Sequence, residues 1–192
     1  MNYLAHSFLS NGNKELIVGN FIADHLRGNK FGELPESIID GIKLHRRIDE
    51  FTDSHPLFKE SKRIFYSGFE KHSGILVDIY FDHLLALNFS SHSNSTLADH
   101  CEKVYNIYCD NLKLLPPSSQ RFLRYVLQNN IYKSYSEEKG IEKVLLHLSH
   151  RIKHGILLNE SLSIFRSNRE KLEKNFSDFF HEAKEKFIIT KN

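Results

Sequence analysis

Apolar residues recur at three- to five-residue intervals along nearly the whole chain, and no run alternates with the period of two that marks a strand. The first such stretch predicts a helix from about Lys14 to Arg27, carrying Leu16, Ile17, Phe21, Ile22 and Leu26, with Gly28 as its stop. Pro35 suits the first turn of a second helix, which bears Ile38, Ile39, Ile42, Leu44 and Ile48 and must end before Pro56. A third helix is expected from about Pro56 to Lys71 and a fourth from about Gly74 to Phe89. A polar turn at residues 90–95 precedes a fifth, running to about Leu115, and Pro116-Pro117 then breaks the chain. Ser118 or Ser119 suits the cap of a sixth helix. Further helices fit Ile141–Leu158 and Ser161–Ile189, the last with Phe165, Leu172, Phe176, Phe179, Ala183 and Phe187 on a core-facing stripe. With no repeat, low-complexity tract or boundary, residues 1–192 read as a single all-α domain of about seven helices.

A composition of 40% hydrophobic and 26% charged residues fits that globular reading and excludes a disordered chain. The formal net charge of +2 argues against a broadly basic nucleic-acid binder. The opening residues, Met1 to His6, lack the basic region and apolar core of a signal peptide, and no stretch suits a membrane span. Cys101 and Cys109 fall in one predicted helix, about 12 Å apart at ~1.5 Å rise per residue, farther than the ~7 Å that a disulfide bridges. Reduced thiols and a cytoplasmic location are therefore expected. Twelve histidines exceed the needs of packing and direct attention to imidazole chemistry.

The fourth helix holds the strongest chemical signal. Its run from Ile75 to Leu87 is almost wholly apolar, yet Asp78 and Asp82 sit one turn apart on one face, with His83 beside them. Buried carboxylates need a partner, either a cation or an arginine or histidine in a structural pair. His45 and Asp49 are likewise one turn apart on the second helix, a pairing of imidazole nitrogen and carboxylate oxygen that suits a mid-series divalent ion. The same spacing also describes a surface ion pair. Asp53 either ligates a second ion or caps the helix after Pro56. Arg46 and Arg47, beside this pair, have the geometry to take phosphate, or else form a solvated face. Asp24 shares a face with Asn20 among apolar neighbours, and His6 is either a hydrogen-bonded core residue or a ligand. Phosphate-binding glycine loops, dinucleotide fingerprints, H-E-x-x-H, C-x-x-C and G-x-S-x-G are all absent. Separated His/Asp pairs on helices point instead to metal-assisted hydrolysis.

Three groups of residues resemble the bacterial acyl carrier protein phosphodiesterase family. They are Met1-Asn2-Tyr3-Leu4-Ala5-His6 with Gly19-Asn20-Phe21-Ile22-Ala23-Asp24; Gly41-Ile42-Lys43-Leu44-His45-Arg46-Arg47-Ile48-Asp49 with Thr52-Asp53; and Asp78-Ile79-Tyr80-Phe81-Asp82-His83. The resemblance is densest over residues 1–90. It implies a helical fold distantly related to the HD phosphohydrolases. It also implies a hydrolase that removes 4′-phosphopantetheine from the serine of holo-acyl carrier protein with a divalent ion, Mn²⁺ or alternatively Mg²⁺ or Fe²⁺. Asp24, His45, Asp49, Asp78, Asp82 and His83 match the polar motif positions. The expectation built on them has His45, Asp49, Asp78 and Asp82 as metal ligands, and Asp24, His83, Arg46 and Arg47 acting on protons and phosphoryl charge. Two other readings compete: a phosphohydrolase of nucleotides or small phosphodiesters, and a non-catalytic helical module that binds a carrier protein. Residues 1–100 carry a net charge of −3 and residues 101–192 a net +5, so the basic second stretch suits an acidic carrier protein as partner, with neither nucleic acid nor membrane expected.

Overall fold

The computed structural model of the chain describes residues 2–26, 28, 31–152 and 155–188. They form helices and turns, with no strand among them. In chain order the helices are α1 (Tyr3–Leu9), α2 (Lys14–Ile22), α3 (Glu36–Ser54), α4 (Pro56–Ile64), α5 (Tyr66–Phe69), α6 (Ser73–Leu87) and α7 (Phe89–His92). There follow α8 (Leu97–Asp110), α9 (Pro117–Asn129), α10 (Ile131–Ser134), α11 (Glu138–Ser149), α12 (Ser161–Ser167) and α13 (Arg169–Phe187).

The all-α expectation holds, but the helices are shorter and more numerous than about seven. Gly68, at φ 90°, interrupts the stretch expected to run unbroken from 56 to 71. The long last helix divides at Asn168, whose side-chain amide donates to the Ile164 carbonyl and caps α12. Pro35 and Pro116 each stand one residue outside their helix, and neither Ser118 nor Ser119 caps α9. The Arg27 and Ile189 ends of two predicted helices lie outside the described residues. Helix α1 has no counterpart in the sequence prediction, because Leu4 to Leu9 are all buried and show no polar face.

Two packing features place the site. Helix α6 is buried on nearly every side, and its Asp82 carboxylate accepts the backbone N–H groups of Leu4 (2.8 Å), Asn2 and Ala5 (both 3.2 Å). A buried carboxylate thereby meets the unpaired donors at the start of α1. Helices α2 and α3 cross closely enough that a Cβ on Gly19 would lie 2.0 Å from the Ile38 carbonyl oxygen, and one on Gly41 would lie 2.7 Å from that of Leu16. Glycine is required at both positions because backbone, not a movable side chain, occupies the space.

Around these contacts one apolar cluster spans the fold. Tyr80 of α6 stacks between Phe65 and Phe165, at centroid distances of 5.2 and 4.4 Å, while its hydroxyl meets Ser161 Oγ at 2.7 Å. Leu172, Phe176, Phe179, Ala183 and Phe187 form the buried stripe of α13, and Phe165 joins it from α12. Cys101 is buried, Cys109 is exposed, and both are free. Among the described residues no helix is long and apolar enough to cross a membrane.

Candidate metal centre

His6 projects from α1, and His45 and Asp49 project from consecutive turns of α3. Their ligand-capable atoms all lie within 4.8 Å of one another. Asp49 reaches His45 Nε2 through Oδ2 (3.0 Å) and His6 Nε2 through Oδ1 (3.2 Å). Asp24, in the 3-10 turn that follows α2, approaches the same His45 nitrogen at 3.1 Å. The imidazole rings lie 4.4 Å apart at their centroids.

Asn20 of α2 orients both rings. Its Nδ2 donates to the His6 carbonyl and to Ser10 Oγ, both at 3.2 Å, so its Oδ1 is turned towards the histidines. That oxygen lies 2.8 Å from Nδ1 of His6 and 2.8 Å from Nδ1 of His45, and both nitrogens must donate to it. In a neutral ring the Nε2 is then a lone pair, and here both Nε2 atoms point at carboxylate oxygens. Lone pair against lone pair is repulsive unless a proton or a metal cation lies between them. Burial opposes charge on His45, yet its bonds to Asp24 and Asp49 prevail and raise its pKa to about 9. His6 goes the other way: burial foremost, and the neighbouring His45, lower its pKa below the ordinary value despite Asp49. Burial alone would raise Asp24 and Asp49, but the histidines hold both carboxyls below their usual range. Two imidazoles of fixed tautomer facing anionic oxygens, with His6 resisting protonation, form a donor set that fits a divalent cation.

The cluster opens onto a cleft of about 890 Å³. Asp24, His45 and Asp49 line it, and Asp53 and Asp78 stand in its wall. Asp53 does not cap α4: the N–H of Leu57 donates to His55 Nδ1 instead, at 3.2 Å. Four expected site residues lie elsewhere. Asp82 is 0% exposed and committed to the α1 amides. His83 is buried with its Nδ1 2.6 Å from the Tyr135 carbonyl oxygen, its ring against Phe165. Arg46 donates to the Gly28 carbonyl and covers Phe31, while Arg47 covers Phe187. The cleft is also lined by residues that the sequence did not single out: Arg121, Phe122 and Tyr125 of α9, with His147 and Arg151 from α11 and its end. His25, also in the lining, has its pKa lowered by burial, with Arg151 and Arg121 adding to the effect and Asp24 opposing it.

A family model described as acyl carrier protein phosphodiesterase matches residues 1–183. The chain belongs to that family. A Yersinia pestis protein named acyl carrier protein phosphodiesterase is 32% identical over 181 residues, covering 94% of each chain. Proteins of the same name from Klebsiella pneumoniae subsp. pneumoniae and Serratia proteamaculans are 31% and 29% identical, again over 94% of each chain. No solved structure matches. In this member of the acyl carrier protein phosphodiesterase family, His6 and Asn20 complete the cluster that spacing alone attributed to α3. The sequence signals for His6 were an imidazole set in an apolar run and its place in the first group of residues that carry the resemblance. Asn20 was visible as a polar residue sharing a face with Asp24.

Proposed function

We propose that this chain hydrolyses the phosphodiester that joins 4′-phosphopantetheine to the serine of holo-acyl carrier protein, releasing the apo form. The observation that carries the reading is the His6–His45–Asp49 cluster at the base of an open cleft, in a chain of this family. His6, His45 and Asp49 would hold a divalent ion, with Asp24 beside the shared His45 nitrogen. Two imidazole nitrogens with a carboxylate oxygen and no sulfur suit a mid-series ion such as Mn²⁺ or Fe²⁺ better than Mg²⁺, which prefers all-oxygen donors. When bound, such an ion supplies Lewis acidity to a phosphoryl oxygen and acidifies a water molecule.

The protein's own part is positional. Asn20 fixes both tautomers, and Asp49 bridges the two imidazoles. Asp24 stays ionised, and we assign it to take the proton of the attacking water. Water adds to phosphorus, the bond from phosphorus to the serine oxygen breaks, and that oxygen takes up the proton that Asp24 received from the water. Asp78, in the same wall, is assigned to orient the water. Asp82 and His83 are reassigned as supports, for α1 and for the Tyr135 segment. The whole chain acts as one helical hydrolase domain in this reading. A distant HD-phosphohydrolase relationship is supported by donors contributed from separate helices, and a cytoplasmic setting by the two free thiols.

The test is intact-mass analysis of holo-acyl carrier protein incubated with the Mn²⁺-loaded protein. The expected result is conversion to the apo mass, lost on chelation and lowered about 100-fold or more in Asp49→Asn. Undiminished conversion by fully metal-depleted protein would overturn the reading.

A further inference from the structure

We infer that Arg121 and Arg151 form the phosphoryl clamp of this cleft, gripping the non-bridging oxygens of the substrate phosphodiester. The inference rests on the phosphodiesterase reading above and deepens it, since neither arginine belongs to a motif that led to that reading.

Four observations carry it. Both side chains line the same cleft as His6, His45 and Asp49, one from the second turn of α9 and the other just beyond the end of α11. They lie near one another's targets, because each acts electrostatically on His25, and Arg151 acts also on Tyr3 and Tyr125, all of which line the cleft. Neither guanidinium has a carboxylate within salt-bridge distance among the described residues, whereas Arg166 and Arg169 are paired with Glu138 and Glu173. And the rest of the charged lining is acidic: Asp24, Asp49, Asp53 and Asp78 all line the cleft, so an anionic phosphodiester needs compensating charge to enter.

Arg46 and Arg47 do not provide that charge. One is tied to the Gly28 carbonyl and Phe31, the other lies over Phe187, and neither lines the cleft. Arg121 and Arg151 are exposed within the cleft and hold no part of the core together. A planar fork of N–H donors matches two phosphoryl oxygens in a way that a lysine ammonium does not. An acidic side chain of the carrier protein offers similar oxygens. Because the pair lines the same cleft as the cluster, the phosphodiester is the ligand assigned.

The experiment compares wild-type protein with Arg121→Gln, Arg151→Gln and the double variant, all Mn²⁺-loaded and checked for unchanged thermal unfolding. Inorganic phosphate binding is read by titration calorimetry. Turnover is read on bis(4-nitrophenyl) phosphate, which has no protein part, and on holo-acyl carrier protein. The double variant should bind phosphate about 10- to 100-fold more weakly, with kcat/KM falling on both substrates. Equal phosphate affinity in all four proteins, or no phosphate binding by wild type, overturns the clamp. So does a loss confined to holo-acyl carrier protein, which would make the arginines a protein-docking pair. If phosphate binding falls as expected but wild type turns over neither substrate, the clamp stands and the phosphodiesterase reading fails.

Discussion

Asn20 Oδ1 accepts from both His6 and His45, so one amide sets the tautomer of two rings and aims both Nε2 atoms at Asp49. Removing it frees either ring to turn its lone pair elsewhere. Asn20→Leu is expected to lower divalent-metal affinity by about 10- to 100-fold while the helices persist, which competition against a chelator and far-ultraviolet circular dichroism would measure. At this scale the sequence was legible where arithmetic on one helix suffices. His45 and Asp49 are four residues apart and meet; Asp24 is four from Asn20 and both reach His45. For His6 the sequence left two readings, core residue or ligand, and could not choose between them. Its neighbours from Leu4 to Leu9 are all buried, so no polar stripe marks which way the imidazole faces. Arg46 and Arg47 stand beside His45 in sequence, but successive helical residues are about 100° apart, and these two leave the cleft.

Helices α2 and α3 carry Asn20, His45 and Asp49, and their separation is set by Gly19 and Gly41. A methyl at Gly19 would meet Ile38 O at 2.0 Å and Gly41 Cα at 2.7 Å, so the helices must move apart. Gly19→Ala should cost about 1–3 kcal/mol of stability and weaken metal binding together with it, as a denaturant midpoint and a metal titration on the same protein would show. Asp82 does for α1 what the glycines do for this crossing. Burial raises its pKa to about 7, against the pull of three backbone N–H groups. A carboxyl whose pKa rises on folding contributes most below its unfolded value near 3.8, and that contribution is lost as pH climbs to about 7. Asp82→Asn should therefore flatten the stability profile between about pH 4 and pH 7. It should also lower stability by about 1–3 kcal/mol, because the new NH₂ faces a backbone donor. Thermal unfolding across that pH range checks both. The sequence showed that a carboxylate buried in α6 requires a partner. It could not choose between an ion and the α1 amides, since Leu4 lies 78 positions away and belongs to a helix that the pattern did not mark.

For the whole molecule, the near-neutral total charge conceals a division that the fold turns to use. The carboxylates of the cleft come from residues 24 to 78 and its arginines from 121 and 151, so two stretches of opposite sign line one cavity. Composition by position revealed the imbalance, whereas the juxtaposition depends on how α9 and α11 pack and left no local mark. Because the cluster joins α1 to α3, an ion held there favours the folded chain over the unfolded one. Mn²⁺ at 100 times its dissociation constant should stabilise the wild type by about 2.7 kcal/mol. Chelation should reverse the gain, and Asp49→Asn should show little of it in a thermal shift.

The contact between Asp82 and the first amides of α1 also bears on when the site comes into being. During synthesis His6 emerges first, followed by His45 and Asp49, but the carboxylate that moors α1 emerges only with α6. A nascent chain thus carries all three donors well before it can hold them in register. The His6–His45–Asp49 cluster therefore completes only once α6 is available to dock α1, and a chain with α1 undocked lacks the His6 donor.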